Sequence, residues 1–174
     1  MAVHHSTPSM ESAVPPFNHI HPAIVHFPIA LLTIAPLLAL VGLLWPSQRR
    51  GVLTAALILL VLGIGGLILA LLTGEAVERY ARATPALLAG VREHELAAQW
   101  TTLIYGLLAV AFAVLWALPL LRKRGLSRNL EAGLLVLWLL LSTAGVLAVG
   151  RTGHLGGHLV HDLHTHAYPE PPPN

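Results

Sequence analysis

Eleven histidines occur in this chain of 174 residues, and no cysteine does. Disulfides, thiolate metal sites and cysteine nucleophiles are therefore excluded, and imidazole nitrogen is the soft ligand available. Neutral imidazoles without thiolate suit haem iron, Zn, Cu or Ni. His19, His21, His26 and His94 stand near the starts of two apolar stretches, and His154, His158 and His161 follow the end of another. The last three are spaced i, i+4, i+7, one face of a helix that continues past Gly150. Gly153, Gly156 and Gly157 either break that helix or let a bulky ligand approach its backbone.

Other chemistries find little footing. The sequence has no G-x-S-x-G, no H-E-x-x-H and no P-loop; His94-Glu95 opens His-Glu-Leu-Ala-Ala, without the second zincin histidine. Whether the chain is an enzyme is left open, with a non-catalytic electron-transfer or accessory role favoured. Net charge is +2, and the basic residues form no stripe for nucleic acid.

The elements that must position the histidines are apolar. The chain is 55% hydrophobic and 10% charged, with a mean hydropathy of +0.71, whereas soluble domains carry about 25% charged residues. Charge-free stretches at 22–45, 52–73, 97–121 and 132–150 each approach the roughly 20 residues that cross a hydrocarbon core. Pro28, Pro36, Pro119 and the Gly63, Gly65, Gly66 cluster are tolerable in such helices where neighbours satisfy the freed backbone groups. The expected architecture is all-α: an integral membrane four-helix bundle of two helical hairpins, with short amphipathic helices on the external loop over 74–95, broken at Pro85. The membrane domain is expected over 19–162, between a flexible tail at 1–18 without a cleavable signal peptide and a His- and Pro-rich tail at 163–174.

Charge sets an expected orientation. Arg49 and Arg50 fall in the first loop and Arg122, Lys123, Arg124 and Arg128 in the third, against Arg79, Arg82, Arg92 and Arg151 on the opposite side. The positive-inside rule then places loops one and three in the cytoplasm and both termini outside. All seven histidines at 19, 21, 26, 94, 154, 158 and 161 then share the external end. Trp45, Trp100 and Trp116 sit where an aromatic belt is expected, while Trp138 lies deeper, as packing.

A weak internal repeat relates the halves. His26, Trp45-Pro46, Arg49-Arg50 and Thr73-Gly74 are echoed by His94, Trp116 with Pro119, Arg122-Lys123-Arg124 and Thr152-Gly153. Two parallel hairpins of this kind are related by a pseudo-twofold axis along the membrane normal, with His26 and His94 as equivalents. Diagonal helices of a bundle lie roughly 11–14 Å apart, a gap that holds two imidazoles and an iron between them. His26 and His94 are therefore the first expected axial pair for haem b, with His21 and His158 as further candidates and Arg92 and Arg151 to neutralise propionates. A second reading gives Cu or Zn to His154, His158 and His161 with His21, or to His26 and His94. A third makes the chain a cofactor-free accessory subunit of a respiratory or photosynthetic complex.

Blander roles stand beside these. His26 and His94 could serve as interfacial hydrogen-bonding groups, and His158 and His161 as a solvated helix end that favours the dipole. His4, His5, His164 and His166 read as tail residues. Glu95 could orient His94 through a hydrogen bond.

The stretch His21-Pro22-Ala23-Ile24-Val25-His26-Phe27-Pro28-Ile29-Ala30-Leu31 resembles the opening motif of a bacterial membrane family, number 2231 of the domains of unknown function. Thr73-Gly74, His94 and Gly156-Gly157-His158-Leu159-Val160 extend the resemblance over about 19–162. It implies a four-helix domain of the bacterial inner membrane, with some relatives joined to Rieske-type or other redox modules. Expected partners are lipid, other membrane redox subunits, a cytochrome c or Rieske-type protein, and a quinone. The family's ligand positions carry over to His21, His26 and His94 only. This chain departs at His161-Asp162-Leu163-His164, where relatives tend to have Tyr and a Gly-Val repeat, which implies an additional metal site here.

Overall fold

The computed structural model describes residues 17–78, 85–121 and 127–163, with side chains over 21–74, 85–121 and 127–163. Four helices run in order: α1 Phe17–Leu44, α2 Arg49–Glu78, α3 Pro85–Leu121 and α4 Arg128–His161. All four are long and apolar enough to cross a membrane. The described residues contain no strand. His4, His5, His164 and His166, the third-loop residues Arg122, Lys123 and Arg124, and Arg79 and Arg82 lie outside the described residues; His19 is within α1 without a described side chain.

Each helix continues the apolar run that nucleates it. The first connection is tight: Trp45 N–H donates to Val41 O at 2.8 Å and Gln48 N–H to Trp45 O at 3.1 Å, so α1 and α2 form a closed hairpin. Ser127 caps α4, its hydroxyl accepting from Leu130 N–H at 3.3 Å, which satisfies one donor the helix start leaves open.

The second connection departs from expectation. Residues 85–95, anticipated as a separate surface helix, are the first turns of α3. Pro85 occupies the first helical position, where a missing N–H costs nothing, so it starts the helix rather than breaking one. These turns also have a protein partner: a Cβ on Gly90 would lie 3.0 Å from Leu159 and 3.1 Å from Leu163 at the end of α4, and Leu87 is buried. With 37 and 34 residues, α3 and α4 are each about 50–55 Å long at 1.5 Å per residue. That exceeds the roughly 30 Å hydrocarbon core, and the surplus turns carry Arg92, Glu93, His94, Glu95 and Arg151.

α1 packs on α2 and α4, and α3 packs on α2 and α4, which leaves α1 and α3 diagonal. Their inward stripes match residue for residue. Pro28, Leu32, Ala35 and Ala39 of α1 are buried, as are Thr101, Tyr105, Leu108 and Phe112 of α3; each pair has the 73-residue separation of Leu32 and Tyr105. These two equivalents meet: Tyr105 Oη donates to Leu32 O at 3.2 Å. The contact has a local cause. Leu32 O would accept from the amide of residue 36, which is Pro36 and has no N–H, so the tyrosine satisfies a carbonyl that lipid could not.

Small residues allow the helices to approach. A Cβ on Gly63 would lie 2.6 Å from Leu32 Cδ2, and one on Gly145 would lie 3.0 Å from both Leu108 and Tyr105. Trp138 is packing, as expected: it is buried, donates Nε1–H to Leu108 O at 2.8 Å and lies 4.5 Å from the Phe112 ring. Outward faces remain apolar, with between 22% and 28% of each span's most apolar window buried inside the bundle. Such surface requires lipid or apolar partners.

Candidate functional site

His21 lies in the second turn of α1, at the end of the bundle where α2 finishes. Its half-buried ring places Nδ1 2.8 Å from Thr73 Oγ1. The threonine hydroxyl has one proton, and Leu69 O and Ala70 O accept it at 2.9 and 3.1 Å. Thr73 Oγ1 therefore accepts from Nδ1–H, and Nε2 of His21 keeps the lone pair.

His94 repeats the arrangement in the second hairpin. Its Nδ1 lies 3.1 Å from Thr152 O, a carbonyl that can only accept, so Nδ1 carries the proton and Nε2 again keeps the lone pair. Thr152 is held by a hydroxyl contact of 2.8 Å with Thr101, itself buried, and by its bond to Ala148 O at 2.9 Å. Each ring also rests on a glycine of the neighbouring helix: added Cβ atoms would lie 3.3 Å from His21 Cε1 at Gly74 and 3.1 Å from His94 Cε1 at Gly156. The absence of a side chain at these two positions lets an imidazole lie against the helix.

The two rings thus come from diagonal helices, at the same end of the bundle. An Nδ1–H held by a backbone carbonyl or hydroxyl is the usual way a protein orients a ligating histidine and presents Nε2. Two such nitrogens are the donor set of a six-coordinate haem or of a metal completed by other ligands. Pro28 and Thr101, both buried, close the bundle one to two turns below. Two neutral imidazoles are donors of the kind that haem iron accepts.

The pair differs from the expected one. His26 is exposed on the outside of α1 and directs Nδ1 to its own helix, 2.6 Å from Pro22 O; it does not face His94. Five residues along a helix rotate a side chain well away from the original face, and the equivalent of His94 at the 73-residue spacing is His21. The repeat is legible in the sequence, but its register in the structure pairs His94 with His21 and not with His26. Thr73, Thr152 and Gly156 are legible in the sequence as motif residues; their part in anchoring and seating the rings comes from the structure, and the matched His-Thr pairs across each hairpin are its sequence signal.

The remaining candidates are dispersed. His154, His158 and His161 do lie on the continuous α4 and all are exposed. His158 Nε2 is 3.6 Å from Asp162 Oδ2, an exposed pair. Among the described residues no group of three or more His, Cys, Asp or Glu converges as a metal cage. Arg151 lies 3.4 Å from Glu93, both mostly exposed, and Arg92 is exposed at the same end. Glu95 accepts from Gln99 Nε2–H at 2.8 Å, so that bond is with the glutamine rather than His94.

Four long apolar helices, a core of matched stripes and outward faces suited to lipid define a membrane protein built as a four-helix bundle. The family model described as "Predicted membrane protein (DUF2231)" matches residues 18–169. The chain belongs to that family. No curated protein and no solved structure matches it.

Proposed function

We propose that the histidine end of the bundle binds haem b through Nε2 of His21 and Nε2 of His94, and that the chain is an electron-transfer subunit of a larger membrane redox complex. The observation that carries this reading is the duplicated anchoring of the two rings: each Nδ1–H is spent on the neighbouring helix. Haem supplies one-electron redox chemistry when bound. Thr73 and Thr152 hold the rings, Gly74 and Gly156 seat them, and Arg92 and Arg151 offer exposed cations for propionates. The basic residues Arg49, Arg50 and Arg128 at the opposite end favour a cytoplasmic location there, which turns the histidines toward the periplasm of a bacterial inner membrane. A quinone, a cytochrome c or a Rieske-type protein is a suitable partner on that side.

The test is optical. Protein purified from haem-replete cells is expected to show a Soret band and a pyridine haemochrome signal. His21→Ala and His94→Ala should each lose most of that pigment, and His26→Ala should retain it. A colourless wild-type protein, or pigment that survives both substitutions, ends the proposal. The cofactor-free accessory role is favoured by one observation, the extent of apolar outer surface, and a colourless protein that co-purifies with a redox complex would select it.

A further inference from the structure

At the opposite end of the molecule, the start of α2, the end of α3 and the start of α4 enclose an open cavity of about 370 Å³. Its lining combines Arg49, Arg50, Arg128 and Glu131 with apolar residues such as Leu53 and Leu115. Among the described residues the three arginines exceed the one glutamate by two positive charges, so the cavity is suited to an anion.

The arginines are prepared for one. Arg50 lies flat on Trp116, its guanidinium carbon 4.2 Å from the ring centroid, and Nη1–H donates to Trp116 O at 2.7 Å. Trp116 is held in turn, since its Nε1–H donates to Thr54 Oγ1 at 3.0 Å. One guanidinium donor is thereby used and the rest of the planar fork, the part that matches phosphate oxygens, is kept in one orientation. Arg49 is fixed by Gly42 O at 3.1 Å and Glu131 at 3.5 Å. Arg128 makes no hydrogen bond or ion pair among the described residues. Arginines that only mark a membrane boundary need no such fixing, because they extend freely to water.

We propose that this cavity binds the phosphate of an anionic phospholipid, with Arg50 and Arg128 as its principal ligands. The cavity lies at the ends of the membrane-spanning helices, at headgroup depth, and the exposed Leu120, Leu121 and Leu130, close in sequence to its lining residues, offer apolar surface for an acyl chain. The excess of two positive charges selects a headgroup with no cation of its own, phosphatidylglycerol over phosphatidylcholine. Basic pockets between transmembrane helices bind such headgroups by the same physics. The proposal concerns the end of the bundle away from the histidines and stands whether or not haem binds.

The full chain is placed in nanodiscs of equal phosphatidylglycerol and phosphatidylcholine, and the lipids that remain attached on release are counted by native mass spectrometry. Retained phosphatidylglycerol should outnumber phosphatidylcholine, and Arg50→Gln with Arg128→Gln should reduce that ratio by about tenfold. Parity in the wild-type protein overturns the proposal by itself, even where the variant does not fold. An unchanged ratio in a variant that keeps wild-type helicity also overturns it. Excess inorganic phosphate should leave the lipid in place; displacement of the lipid by phosphate alone would make this a free-anion site and overturn the lipid assignment.

Discussion

Leu32 shows how a single backbone atom can select a contact across the bundle. Pro36 removes the amide that would bond its carbonyl, and Tyr105 Oη supplies the hydrogen at 3.2 Å. Tyr105→Phe should leave that carbonyl unsatisfied and cost about 1–2 kcal/mol, between the value of a membrane hydrogen bond and the penalty for a buried orphan group. Adding Pro36→Ala restores an amide donor, so the double variant should recover part of the loss. Reversible unfolding in mixed micelles reads both. If the second substitution only adds to the first, the missing amide is not the reason for the tyrosine. The same scale explains the choice of histidine. His21 and His26 belong to one motif and differ little in composition, yet one bonds Thr73 and the other bonds the carbonyl of its own helix at Pro22.

Among the helices, the hairpin of α1 and α2 is set by close approach at glycine. Gly63 lies under Leu32, where a Cβ would come within 2.6 Å of the side chain, while Gly65 has nothing within 4 Å of an added Cβ. Gly63→Ala must therefore displace a fully buried leucine and should cost about 1–3 kcal/mol. Gly65→Ala should be neutral or stabilising by up to about 1 kcal/mol, from helix propensity. The two substitutions are chemically identical, so a similar cost for both in the same unfolding assay would disprove the packing account. α3 teaches a related lesson about Pro85. Proline reads as a break when a segment is treated as a loop, and as a helix start when the following turns have a packing partner, here Leu159 of α4 and Leu163 just beyond it.

For the whole molecule, the orientation proposed from charge can be measured directly because the chain contains no cysteine. A membrane-impermeant maleimide should label Ser47→Cys only after the inner membrane is opened, and His161→Cys in intact spheroplasts. Both positions are exposed, so the reverse pattern would invert the topology and move the histidine end to the cytoplasm. The arrangement of the two hairpins also gives the molecule two chemically different ends. One end has imidazoles seated on glycine; the other has Arg49 and Arg50 held beside an open cavity.

Length and composition alone determined that four helices cross a membrane, because about 20 uncharged apolar residues have few other stable environments. Trp138 as packing and the kinship of the two halves were readable for similar reasons. The inward face of each helix was not. A soluble helix marks its buried side by contrast between polar and apolar residues, and a helix apolar all round offers no such contrast. Only the packed structure decided that His21 rather than His26 turns to the neighbouring helix, since α1 is rotated by where Leu32 and Pro28 settle on Gly63 and Gly66.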